Sequence, residues 1–214
     1  MRRLWALLAM LSVTPAGAET LDCAQIKSTL RPFELTIDWT GKKEGKDPLV
    51  MPMRRQVIRK PDETVEYEIY SPERFTRRTL NVAGFLLQSR RAGETTSRVV
   101  TYSIDVANDY FALGKPFDFN EVVKDADGTV ASDLDTSVSF DGAGDFELDG
   151  CAYPITKIIA SSHGSVRGAA RSYRTEYWYS RDLKTSLYTR YETSDGFVVE
   201  IRARGLSTSF KPVE

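Results

Sequence analysis

His163 is the chain's one histidine, set in Ser161-Ser162-His163-Gly164. A serine hydrolase built on it needs an activated hydroxyl, and the base must be oriented by a third group. The stretch after Ile158-Ile159 reads as a hairpin turn, which would leave the imidazole in solvent. No Gly-x-Ser-x-Gly elbow accompanies it. The thirty acidic residues make some carboxylate pair inevitable, so a glycosidase-type pair cannot be singled out. No catalytic residue is assigned, and no Gly-rich phosphate loop lies between a strand and a helix.

Metal chemistry has as little to build on. One histidine and two cysteines do not form a zinc site of standard spacing. Asp125-Ala126-Asp127-Gly128 resembles part of a calcium loop. With Gly128 at the loop glycine, Val123 and Leu134 would stand where oxygen ligands are required. A solvated Asp-Gly hairpin is the reading kept. No metal and no other cofactor is expected.

The residues that stand out are aromatic. Tyr173, Tyr177 and Tyr179 alternate along one strand and share a face. Trp178 points the other way, beside Arg174 and Glu176, and Tyr188 and Tyr191 follow on the next strand. These six are the candidate ligand-binding residues, lining an apolar groove for a lipid, peptide or sugar. The same aromatics are also good strand formers, and serve equally as core and cross-strand pairs.

The elements that would position them are strands. After Pro32, Phe33, Leu35, Ile37 and Trp39 alternate with polar residues, the period of a half-buried strand. Further strands are expected near 56–60, 64–70, 74–81, 85–90 and 98–105, then at 136–140, 145–148, 152–160, 172–179, 186–192 and 197–204. Residues 41–52 read as a loop, 106–119 as a loop over the end of a sheet, and 120–126 as a short helix or a strand. Asp127-Gly128, Asp141-Gly142, Asp149-Gly150 and Asp195-Gly196 mark tight turns. One short helix is expected near the N-terminus, with Asp22 as N-cap, Gln25 completing a capping box and Leu21 with Ile26 as a staple. The class is all-β, mainly antiparallel: a meander curled into a barrel, half-barrel or sandwich.

Residues 1–18 read as a secretory signal: Arg2-Arg3, an apolar run from Leu4 to Val13, and Ala16-Gly17-Ala18 before the cut. The run is shorter than the roughly 20 residues a spanning helix needs. Asp22 before Cys23 does not resemble the small-residue box of a bacterial lipoprotein. Cleavage after Ala18 leaves residues 19–214 as a single β-rich domain, with 27 basic and 30 acidic residues and a net charge of −3. That balance offers nothing to nucleic acid, and no membrane span remains after cleavage. In an oxidising compartment Cys23 and Cys151 are expected to bridge. Without a Cys-x-x-Cys they are not a redox pair.

Signal, β meander and one long-range disulfide together resemble, in architecture, the small periplasmic β-domain proteins of Gram-negative bacteria. The expectation is an exported, non-catalytic protein of the periplasm, or alternatively a secreted one. It would bind an apolar small molecule or an envelope protein partner. An envelope hydrolase acting on sugars or esters is one alternative, and a secreted adhesin or host-directed factor another.

Overall fold

The computed structural model describes residues 23–28, 31–71, 74–108 and 110–209. The expected signal at 1–18 and the Asp22 cap lie outside them. Twelve antiparallel strands follow one another round a closed barrel, with β1 pairing both β2 and β12. They are β1 (Phe33–Lys42), β2 (Leu49–Arg59), β3 (Thr64–Tyr70), β4 (Phe75–Val82), β5 (Phe85–Arg91) and β6 (Arg98–Tyr102). There follow β7 (Phe117–Lys124), β8 (Val130–Leu148), β9 (Cys151–Val166), β10 (Ala169–Ser180), β11 (Thr185–Thr193) and β12 (Val198–Ser207). Helix α1 (Cys23–Ser28) precedes them and the four-residue α2 (Tyr110–Leu113) lies between β6 and β7. Closure removes the unpaired edges that an open sheet of this size would expose.

The all-β reading holds, and closure selects the barrel from the forms the sequence allowed. Three local expectations are corrected and one open alternative is resolved. Residues 49–52 are strand rather than loop, because β2 runs the length of β1 from Phe33↔Val57 to Gly41↔Leu49. The ambiguous 120–126 segment is strand to Lys124. Asp141-Gly142 is no hairpin: it is the extra length in a register slip inside β8, between Phe140↔Ile158 and Ala143↔Thr156. His163 is not on a turn but inside β9, opposite Asp135 and Ser172, where its side chain is exposed. The turn that does join β9 to β10 is Arg167-Gly168, both residues at positive φ, a conformation tight hairpins require.

The slip in β8 changes which residues are buried. Before it, Leu134, Thr136 and Val138 are buried with Ile158 and Ala160 opposite. Beyond it, the buried set of β9 becomes Cys151, Tyr153 and Ile155, against Phe146 and Leu148. This hairpin end joins Phe33, Leu35 and Ile37 of β1, Val57, Val65, Leu183, Leu187, Ala203 and Leu206 in one packed core. The Asp149 carboxylate at its tip accepts a hydrogen bond from the Leu206 backbone N–H. Cys151 is disulfide-bonded to Cys23, 128 residues away in sequence, with a Cα–Cα distance of 5.7 Å. Lys27 donates to the Ala152 carbonyl at 2.8 Å.

Arg59 ties the same end together. Its guanidinium donates to the carbonyls of Asp182 at 3.0 Å, Ile26 at 2.9 Å and Arg31 at 3.3 Å, and lies over the Phe33 ring. One buried cation thereby satisfies acceptors from a helix end, a strand entry and a hairpin turn that have no ladder partners of their own.

Where β8 and β9 cross at Leu134↔Gly164, Gly164 has φ +153° and no room for a side chain. A Cβ there would lie 2.2 Å from the Asp133 carbonyl oxygen. Gly164→Ala is expected to destabilise the barrel by about 2 kcal/mol or more, through overpacking and backbone strain. Equilibrium denaturation measures this; a loss under ~0.5 kcal/mol would mean that the two strands can separate freely.

Candidate functional site

The barrel is filled unevenly. The core just described joins β1 to β3 with the β8–β9 hairpin end and the adjoining ends of β11 and β12, while a cavity of about 670 Å³ lies against β5 to β12. It reaches from Gly84 and Phe111, at the end carrying the β4–β5 and β6–β7 connections, to Ser132 and Val166 near the opposite turns. Strand alternation explains its wall. On β10, Tyr173, Thr175, Tyr177 and Tyr179 face in, while Arg174, Glu176 and Trp178 fall on the other face. On β12, Val199 and Ile201 face in between Glu200 and Arg202.

One end is aromatic. Phe85 stacks on Phe111 at 5.1 Å between ring centroids and meets Tyr102 at 5.3 Å and Phe119 at 5.6 Å. Phe111 also reaches Tyr179 at 5.6 Å. The far end is more polar: Thr136 and Ser162 share a hydrogen bond at 2.8 Å, and Tyr173 stacks on Tyr191 at 5.2 Å.

The carboxyl group in this wall belongs to Glu121, on β7 opposite Tyr102 of β6 and Leu134 of β8. No lysine, arginine or histidine is among the described lining residues. Burial pushes the Glu121 carboxyl above its ordinary value, partly offset by the neighbouring Tyr102 hydroxyl. The Tyr102 and Tyr177 phenols are also raised, by burial first and by the nearby Glu121 charge in addition. The Tyr102 hydroxyl donates to the Leu86 carbonyl at 2.8 Å, bridging the narrow β5–β6 seam, where only Gln88↔Val99 and Ser89↔Arg98 pair.

The raised carboxyl has a consequence for stability. A folded-state value above the unfolded one means that the native protein binds the proton more tightly. The contribution is therefore fully present below the ordinary carboxylate range and is lost as pH rises through the folded value. Glu121→Gln is expected to raise the denaturation midpoint at neutral pH and to leave it unchanged below about pH 4, where the unfolded carboxyl is also protonated. Parallel melts at the two pH values test this; an equal shift at both would assign the effect to packing.

Of the six aromatic candidates, Tyr173, Tyr177, Tyr179 and Tyr191 come together in the cavity wall. Trp178 and Tyr188 do not: they pack on each other at 4.7 Å on the opposite face, with Phe146 at 6.2 Å from Trp178. There Trp178 donates to Glu176 at 2.7 Å and lies under the Lys157 ammonium. Reading along the strands missed Phe85, Tyr102, Phe111, Phe119 and Glu121, which come from three other strands and a helix. The alternation of Phe117, Phe119 and Glu121 on one face was the signal available. Asp125, from the calcium-like run, is paired with Arg98 at 2.7 Å.

No family model matches the chain, and no curated protein matches it. Among solved structures it is similar to the hypothetical lipoprotein YmcC from Escherichia coli. The identity is 12%, over 86% of this chain and 90% of that one, with a TM-score of 0.46. It is similar also to a LolA superfamily protein from Nitrosomonas europaea, 14% identical over 89% of this chain and 91% of that one, with a TM-score of 0.37. A chain of the Pseudomonas aeruginosa MucA/MucB complex is 12% identical over 90% of this chain and 56% of its own length, with a TM-score of 0.38. None of the three informs the chemistry of the cavity.

Proposed function

We propose that this chain is an exported protein of the cell envelope, with residues 1–18 removed and 19–214 forming one domain, that holds an apolar small molecule inside its barrel. The observation that carries this is the cavity. Its volume of about 670 Å³ lies within the range of roughly 300–1,000 Å³ usual for ligand pockets. Its walls are aromatic and aliphatic, with a few placed hydroxyls and one carboxyl. Tyr173, Tyr177, Tyr179 and Tyr191 are the contacts retained from the sequence reading; Trp178 and Tyr188 are assigned to wall packing.

Two further features support export into water. The Cys23–Cys151 bridge suits an oxidising compartment. The outer face carries ion pairs such as Arg190–Glu192 at 2.8 Å, Arg204–Asp38 at 2.6 Å and Lys60–Glu66 at 3.2 Å, where a lipid-facing barrel needs an apolar band. The periplasm is the compartment proposed.

The test has two parts. Protein purified from its own envelope fraction is extracted under denaturing conditions and the extract analysed by mass spectrometry. The emptied, refolded protein is then titrated with a neutral naphthylamine probe that fluoresces in apolar surroundings. A copurifying amphiphile that displaces the probe is expected. A protein that carries nothing and does not bind the probe would overturn the reading.

A further inference from the structure

Resting on that reading, we propose that the cavity selects an amphiphile with a cationic, ammonium-type head, seated against Glu121 among Tyr102, Phe119 and Tyr177, with its apolar body along Phe85, Phe111 and Ile158. The geometry assigns this head group by sign and by setting. Glu121 is the carboxyl in a wall that contains no basic side chain among its described residues. Around it stand aromatic rings: Tyr102 faces Phe119 at 5.6 Å between centroids, and Tyr177 lines the same cavity.

An ammonium gains twice in such a place. It pairs with the carboxylate where water is partly excluded, and it meets the negative faces of the rings. It also relieves the cost of keeping Glu121 ionised beside apolar walls, since an opposite charge favours the charged form. A carboxylate, sulfate or phosphate head would instead put like charges together in a poorly solvated space. Arg55 is not among the described lining residues. Its Nη1 is committed to Thr185 Oγ1 at 3.1 Å and the Ser186 carbonyl at 3.2 Å, and its guanidinium lies over the Tyr67 ring.

The experiment compares three probes with the same dodecyl chain, all below their micelle concentrations: dodecyltrimethylammonium, dodecanoate and neutral dodecyl maltoside. Each is titrated into the full mature protein by calorimetry. The ammonium is expected to bind at least about tenfold more tightly than the carboxylate, a ratio within reach of one charge contact plus ring contacts. In Glu121→Gln its advantage over the neutral maltoside should collapse. The preference in the unmutated protein is readable even if the variant folds poorly. Equal affinity for all three heads, tighter binding of dodecanoate, or an ammonium preference that survives Glu121→Gln would each overturn the head-group assignment while leaving an apolar-ligand cavity. Failure of all three probes to bind would overturn the cavity's proposed function as well.

Discussion

A C23A/C151A double variant should lose up to about 5 kcal/mol of unfolding free energy, the largest single effect expected of any change to this protein. The bridge joins residues 128 apart in sequence. In the chain-entropy model, closing a loop of that length removes about this much freedom from the unfolded chain, with native strain and residual structure reducing it. Set against a typical total of roughly 5–15 kcal/mol, such a loss is a large part of the whole. Alanine is the replacement to use, because Cys151 is only 1% exposed and a serine hydroxyl there would add an unpaired buried donor. Helix α1, six residues long, is far too short to persist alone. What would still dock it are Lys27 on the Ala152 carbonyl, Arg59 on the Ile26 carbonyl and the buried Ile26 side chain. Urea denaturation of oxidised protein against the variant gives the magnitude, and hydrogen exchange in α1 shows whether the helix detaches first. A difference below about 1 kcal/mol would mean that the bridge joins parts already close together in the unfolded chain.

The second large effect concerns binding. Ala160→Trp is expected to weaken the naphthylamine probe at least about tenfold, with little change in stability. Ala160 lies in the cavity wall between Val138 of β8 and Thr175 of β10. Ala160 is a small residue bordering the cavity, so a larger side chain there is expected to take up ligand volume. Tenfold corresponds to about 1.4 kcal/mol, less than the transfer free energy of a fully buried large apolar side chain, about 1.5–3 kcal/mol. Filling the cavity returns apolar contacts to the wall, so the melting temperature should hold or rise. Undiminished probe binding would place the ligand elsewhere, with the outer surface around Trp178 and Tyr188 the first alternative to examine.

How much of this was legible differs from element to element. The period of two in Phe33, Leu35, Ile37 and Trp39, and again in Tyr173, Tyr177 and Tyr179, follows from the pleat itself, so strand and face could be read locally. Asp149-Gly150 was legible as a turn because both residues take positive φ there, a requirement of tight hairpins. Asp141-Gly142 carried the same signal and did something else: a glycine at positive φ serves a bulge as well as a hairpin, and only the partner strand distinguishes them. His163 was misplaced for a related reason. Polar and small residues from Ser161 to Ser165 look like a turn in one dimension, yet β8 and β10 flank them on both sides.

The sequence by itself determined the covalent and local facts: strands rather than helices, the cysteine pair, and the inward tyrosines of β10. These depend on backbone geometry and on neighbours within a few residues. Tertiary structure alone decided that the meander closes, that part of the interior packs solid while a cavity stays open, and that Glu121 faces Tyr102 in that cavity. Such outcomes depend on which distant residues share a layer of the barrel. That is set by the summed registers of twelve strand pairs and the slips within them, and no single stretch of chain encodes it.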